Sequence, residues 1–142
     1  AAARRTVDGL KARVAAVESK TAVMPADSRP RVFVEIWNDP LMTAGAGTFV
    51  DDLVKRAGGR NIVGHIDGWP QISPETVISA HTDVVILTCF NRAEVMARHE
   101  WRKVPAIVQG RVFEVHPDLM VRPGPRLVDG LETLAGLFAG AQ

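Results

Sequence analysis

Asp83-Val84-Val85-Ile86-Leu87-Thr88 is the stretch that decides the fold. After its opening Asp it runs through four apolar residues without alternation. A strand with one wet face alternates apolar and polar side chains. One that is apolar on both faces must be covered on both, which is the signature of a parallel sheet between helical layers. Outward from this strand, the chain supplies the covering elements in turn.

Upstream, Arg31-Val32-Phe33-Val34-Glu35-Ile36-Trp37 is a second β-rich run and reads as the first strand of the sheet. Asn38 to Gly47, with Pro40, Gly45 and Gly47, reads as a loop. Thr48 is placed to cap a helix that runs to about Ala57, with Phe49, Val50, Leu53 and Val54 on its apolar face and Gly58-Gly59 ending it. Asn61-Ile62-Val63 is a short apolar segment, followed by a long loop containing Trp69. Ser73, Pro74 and Glu75 then form a helix start. Serine is a good N-cap, proline fits the first helical position, and a carboxylate there is favoured by the helix dipole. That helix is brief and stops near His81.

Downstream, Asn91-Arg92-Ala93-Glu94 has the spacing of a capping box and predicts a helix to about Arg102. Pro105-Ala106-Ile107-Val108 and Arg111-Val112-Phe113-Glu114-Val115 flank Gln109-Gly110 and read as two short strands about a turn. An irregular loop follows Pro117, and a last helix runs from about Pro125 to Ala139. At the other end, Val7, Leu10, Val14 and Val17 fall at helical spacing, which predicts one amphipathic helix over residues 2–21. Met24 to Pro30, with two prolines, is a turn or linker. Strand and helix thus alternate over residues 31–139. The fold class expected is α/β, a three-layer α/β/α sandwich with a mostly parallel central sheet, preceded by a long helix.

The bulk numbers suit one such domain. The chain has 142 residues, of which 46% are hydrophobic and 23% charged. A net charge of +1 gives no field that would draw nucleic acid or an anionic membrane. One cysteine, Cys89, rules out an intrachain disulfide. No apolar run nears the ~18 residues of a membrane span. The chain opens Ala1-Ala2-Ala3-Arg4-Arg5, without Met or a signal peptide, so a processed or truncated product is expected.

Gly45-Ala46-Gly47 follows a strand and precedes a helix, but Val50 stands where a dinucleotide fingerprint has its third glycine. His65, His81, His99 and His116 follow no metal-ligand spacing and read as surface or strand-end residues. Ser73, Ser79 and Cys89 lack the context of a nucleophile, so no catalytic residue and no metal site is assigned. What remains is a set of large side chains on loops leaving the strands: Trp37, Met42, Trp69, Phe90, Leu119, Met120 and Arg122. Taken singly, Trp37 and Leu119 read as core. As a set at the carboxyl ends of the strands, where open α/β sheets bind ligands, they favour binding over catalysis.

Over residues 30–140 the chain resembles the C-terminal lobe of the substrate-binding proteins of ABC importers that carry cobalamin, ferric siderophores or haem. The matching segments are Arg31–Trp37 with Asn38-Asp39-Pro40 and Thr43-Ala44-Gly45, Ala57-Gly58-Gly59-Arg60-Asn61-Ile62, and Trp69-Pro70-Gln71-Ile72-Ser73-Pro74-Glu75. Asp83-Val84-Val85-Ile86 and Arg122-Pro123-Gly124-Pro125-Arg126 complete the series. The cobalamin binders look closest through the Trp-Pro-Gln segment. The resemblance implies that residues 1–29 are an inter-lobe helix and linker, that 30–142 are the C-terminal lobe, and that an N-terminal lobe is missing. It implies a non-enzymatic protein, periplasmic or a membrane-anchored lipoprotein, that carries a chelate to a membrane permease. Glu75 matches a glutamate that pairs with permease arginines, and Trp69 an aromatic that packs on cobalamin. Leu119 and Met120 stand where the cobalamin binders have aromatics, and Arg122 would suit a carboxylate- or phosphate-bearing ligand. The expected ligand residues are Trp69, Trp37, Met42, Phe90, Met120 and Arg122, with no resident cofactor and no nucleic-acid partner. A lone lobe would expose half a cleft and its inter-lobe helix, which favours self-association. The alternative expectation is a small α/β enzyme or regulatory domain holding a phosphorylated ligand on the Gly45–Gly47 loop.

Overall fold

The computed structural model describes residues 2–25, 28–120 and 126–140. Helix α1 (Ala2–Ala22) is followed by strand β1 (Arg31–Glu35), a hairpin of β2 (Trp37–Asn38) and β3 (Leu41–Met42), helix α2 (Phe49–Arg56) and strand β4 (Arg60–Asn61). Then come α3 (Pro74–Ser79), β5 (Val84–Leu87), α4 (Arg92–Met96), a 3₁₀ turn (His99–Trp101), α5 (Pro105–Val108), β6 (Val112–Glu114), a second 3₁₀ turn (Pro117–Leu119) and α6 (Leu127–Ala139).

The sheet order is β4-β1-β5-β6, and every neighbouring pair is parallel. Parity along the strands then divides the core. Val32, Val34, Val84 and Ile86 face one side and pack against Val50, Leu53 and Val54 of α2 and Leu131, Leu134 and Phe138 of α6, with Val14 and Val17 of α1 behind. Phe33, Val85, Leu87 and Val112 face the other, against Val77 of α3, Val95 of α4, Trp101 and Ala106. Two helical layers on one parallel sheet explain why Val84–Leu87 is apolar throughout, and the expected three-layer sandwich is what forms.

Helix α1 is tied down by charge as well as by packing. Arg13 bridges to Asp129 and Glu132 of α6, and Glu18 receives Arg56 of α2 at 2.6 Å. The Glu132 carboxyl is held below the usual range by the Arg13 guanidinium. Among the described residues no helix is long and apolar enough to cross a membrane.

Three local expectations are corrected. The start of the Asn38–Gly47 loop is half of a tight hairpin, in which Trp37 pairs with Met42 and Asn38 with Leu41. Pro105–Val108 is a helical turn rather than a strand. Pro105 occupies the first helical position, and the turn supplies the Ala106 carbonyl that accepts from the Arg111 N–H. Asn91 does not cap α4 with its side chain, and α4 ends at Met96. Its amide instead donates to Glu35 at 2.7 Å, a buried acceptor that outcompetes an exposed helix end.

Candidate functional site

Because the sheet is parallel, the carboxyl ends of β1, β5 and β6 share one edge. β1 leads into the hairpin, and the hairpin is stitched to the loop that carries Trp69. The Ile72 N–H donates to the Leu41 carbonyl at 2.9 Å and the Thr43 N–H to the Pro70 carbonyl at 3.1 Å, with Met42 bridged to Gln71. Three of the expected ligand residues, Trp37, Met42 and Trp69, are thereby carried by one small backbone ladder. Trp37 is 53% exposed and Trp69 44%, with Met42 half-buried between the segments that bear them. The Trp37 indole N–H donates to the Asp39 carbonyl at 2.9 Å, which fixes the ring at the rim. Read singly from sequence, Trp37 belonged to the core. It escapes because β1 ends at Glu35, and Trp37 turns outward with the hairpin.

Phe90, just beyond β5, is 56% exposed and has a backbone φ of +53°, in the left-handed region that residues with a Cβ seldom adopt. Its ring meets His116, beyond β6, edge-on at 6.0 Å. Met120 does not join this face. It is fully buried among core residues on the α2 and α6 side of the sheet, because the 3₁₀ turn Pro117–Leu119 directs the chain back toward α6. Arg122 lies outside the described residues.

Beside this face stands α3. The Ser73 hydroxyl accepts from the Glu75 N–H at 3.1 Å, Pro74 is in the first turn, and Glu75 is exposed there, as the sequence indicates. The Trp101 indole N–H donates to the Pro74 carbonyl at 3.0 Å, so the start of α3 rests on a buried tryptophan. A depression of about 370 Å³ lies between α3 and the hairpin, lined by Asn38, Asp39, Leu41, Pro74, Glu94 and Arg98.

Beneath the depression is a cluster that sequence reasoning missed. Glu35, at the end of β1, is fully buried and receives Arg98 at 2.7 Å and Asn91 at 2.7 Å. Arg98 also binds Glu94 at 2.7 Å and stacks over Trp101, 4.6 Å from the ring centroid. Burial opposes its charge, but the Glu94 and Glu35 carboxylates outweigh that and hold the guanidinium pKa above its ordinary value. The Arg98 hydrogen bonds hold the Glu94 carboxyl below the usual range. A single carboxylate inside the apolar run Val32–Ile36 was the one available signal.

The Gly45–Gly47 loop is no phosphate cradle. The Gly45 N–H donates to the Gly68 carbonyl and the Ala46 N–H to the Ile66 carbonyl, each at 2.7 Å. A Cβ on Gly45 would lie 1.9 Å from the Ile66 carbonyl oxygen. Glycine is required there for close approach of the Trp69 loop, and two of the loop's three amides are already engaged within the chain.

An open parallel sheet with exposed aromatic residues along its carboxyl edge defines an α/β lobe. The periplasmic binding protein family model matches residues 1–119. The chain belongs to that family. It is 29% identical over 135 residues to an uncharacterized ABC transporter substrate-binding lipoprotein of Bacillus subtilis, covering 94% of this chain and 43% of that one. To a cobalamin-binding protein of Halobacterium salinarum it is 32% identical over 149 residues, covering 97% of this chain and 39% of the relative. Among solved structures, a possible iron-binding periplasmic solute-binding protein of Staphylococcus epidermidis superposes with a TM-score of 0.80 at 27% identity, over 95% of this chain and 54% of that one. The chain thus spans less than half the length of these curated relatives.

Proposed function

We propose that this chain is the C-terminal lobe of the solute-binding component of an ABC importer, with residues 1–29 as the inter-lobe helix and linker and residues 30–142 as the lobe. The cargo is cobalamin or a related iron–siderophore or haem chelate, bound between this lobe and an N-terminal one and delivered to a membrane permease. The protein acts by binding and release rather than by catalysis, in the periplasm or as a lipoprotein on the outer face of a membrane. The observation that carries the reading is the pairing of exposed Trp37 and Trp69 on one backbone ladder at the carboxyl edge, with Phe90 beyond the next strand. Large flat surfaces at fixed height suit a macrocycle or chelate with broad apolar faces. The names of the relatives, an ABC transporter lipoprotein and a cobalamin binder, support the same class.

Trp69, Trp37, Met42 and Phe90 are the residues proposed to meet the ligand. Glu75 is proposed to meet the permease, because its exposed carboxylate stands on the capped first turn of α3, where a cation can reach it. Titration of the two-lobed protein with cyanocobalamin and with haemin tests the ligand face. Trp69→Ala is expected to weaken whichever is bound by about tenfold or more, in the range of a buried aromatic contact. Unchanged affinity would remove Trp69 from the site. Glu75→Ala is expected to spare affinity and lower uptake in cells; unaltered uptake would end the docking role.

A further inference from the structure

His116 belongs to none of the roles assigned above, yet its imidazole is more than half exposed on the ligand edge and touches Phe90. Its Nδ1 accepts the backbone N–H of Asp118 at 3.1 Å. A backbone N–H can only donate, so Nδ1 carries no proton while that bond is made. The neutral ring must then hold its proton at Nε2. The Asp118 carboxylate lies on the Nδ1 side, its Oδ2 at 3.7 Å and outside hydrogen-bond range. Among the described residues Nε2 meets no hydrogen-bond partner. A donor fixed in tautomer, held from behind by the backbone and packed edge-on against an exposed ring is prepared for something outside the protein.

We infer that His116 is a ligand-binding residue whose Nε2–H donates to a hydrogen-bond acceptor at the periphery of the cargo, a carboxylate or an amide carbonyl. This rests on the carboxyl edge being the ligand face. The flat part of the cargo lies on Phe90 and the tryptophans, and His116 reads the substituent at its margin. The same tautomer disfavours the simplest alternative: to coordinate the metal of a chelate through Nε2, the ring would first have to give up the Asp118 hydrogen bond and move its proton to Nδ1.

The test uses the full-length, two-lobed protein with haemin, which carries carboxylates, and cyanocobalamin, which carries amides. His116→Asn keeps a cap for the Asp118 N–H and loses the reach of Nε2, whereas His116→Gln keeps a donor near the Nε2 position. Thermal melts of both variants verify folding. For the probe that the wild type binds, H116N is expected to lose about 3- to 10-fold in affinity, the worth of one hydrogen bond, and H116Q to recover most of it. Nitrogen-15 spectra of the ligand-free protein are expected to show the Nε2–H tautomer. The absorption bands of bound haemin are expected to be the same in wild type and H116N, since a peripheral contact leaves the iron's ligands alone. H116N binding as wild type while Trp69→Ala weakens binding would overturn the role of His116 and leave the ligand face standing. An Nδ1–H tautomer, or haem bands that change in H116N, would overturn the donor assignment. Failure of the wild type to bind haemin, cyanocobalamin and a ferric hydroxamate siderophore alike would overturn both readings.

Discussion

Phe90 combines two features that folding alone does not favour: a left-handed backbone and an exposed ring. The backbone costs roughly 1 kcal/mol relative to glycine or asparagine, and an exposed phenyl returns little of it. Phe90→Asn is therefore expected to raise stability by up to about 1 kcal/mol in a denaturant melt, while weakening cyanocobalamin or haemin binding by the two-lobed protein. A stability loss with unaltered binding would make Phe90 a packing residue. Gly45 shows the opposite economy. A methyl group there meets the Ile66 carbonyl oxygen at 1.9 Å, and Gly45→Ala is expected to cost about 1–3 kcal/mol as the Trp69 loop is forced away. Both sequence positions were visible, Phe90 as a large residue after a strand and Gly45 as part of a glycine pair. Their backbone circumstances were not, because φ at one residue and the approach of a loop about twenty residues on are set by tertiary structure.

At the scale of elements, the buried Glu35–Arg98 pair joins β1 to the segment after α4, and Trp101 extends it to the start of α3. Removing one partner leaves a charge without compensation in the core. Arg98→Met is expected to cost about 3–5 kcal/mol, and adding Glu35→Gln is expected to restore part of that, a sign of coupling that independent sites would not give. Glu94 adds a pH dependence of known sign. Its folded pKa is depressed, so its contribution is fully present above the ordinary glutamate value of about 4.3 and is lost as pH falls through the lower folded value. Glu94→Gln should accordingly flatten the acid limb of stability below about pH 4.3, and an acid limb identical to the wild type would show that Arg98 holds Glu94 no differently from solvent. The long signals at this scale were legible: Val84–Leu87, the Ser73 cap and α1 each stand where the pattern puts them. The short ones were not. Two residues of Trp37–Asn38 carry no periodicity, four apolar residues at Pro105–Val108 suit a helical turn as well as a strand, and Asn91 was drawn from its cap by a glutamate 56 residues away in the chain.

At the scale of the molecule, the candidate ligand face is a surface on one side of a sheet, and α1 is packed onto α6 and α2 by Val14, Val17 and the Arg13 and Arg56 ion pairs. If the cargo is held between two lobes, this chain alone offers half of the contacts. The 142-residue chain is expected to bind cyanocobalamin or haemin at least ~100-fold more weakly than the two-lobed protein, since affinity from two joined surfaces is lost together when one is removed. Equal affinity would place the whole site on this lobe. Exposed Trp37, Trp69 and Phe90 also favour association of the isolated chain through the same face, which light scattering reads as a mass that falls on adding ligand.

The hairpin and the Trp69 loop are joined by backbone amides and carbonyls, and the rings of Trp37 and Trp69 stand on that ladder without building it. A change of ring for aliphatic or polar group at either position leaves every rung in place. The scaffold therefore depends little on what it displays, losing at most the bond from the Trp37 indole to the Asp39 carbonyl, and selection can exchange the displayed side chains to follow a new ligand without first repairing the fold. Such separation of support from display makes the face evolvable, and it is written into which atoms carry the bonds.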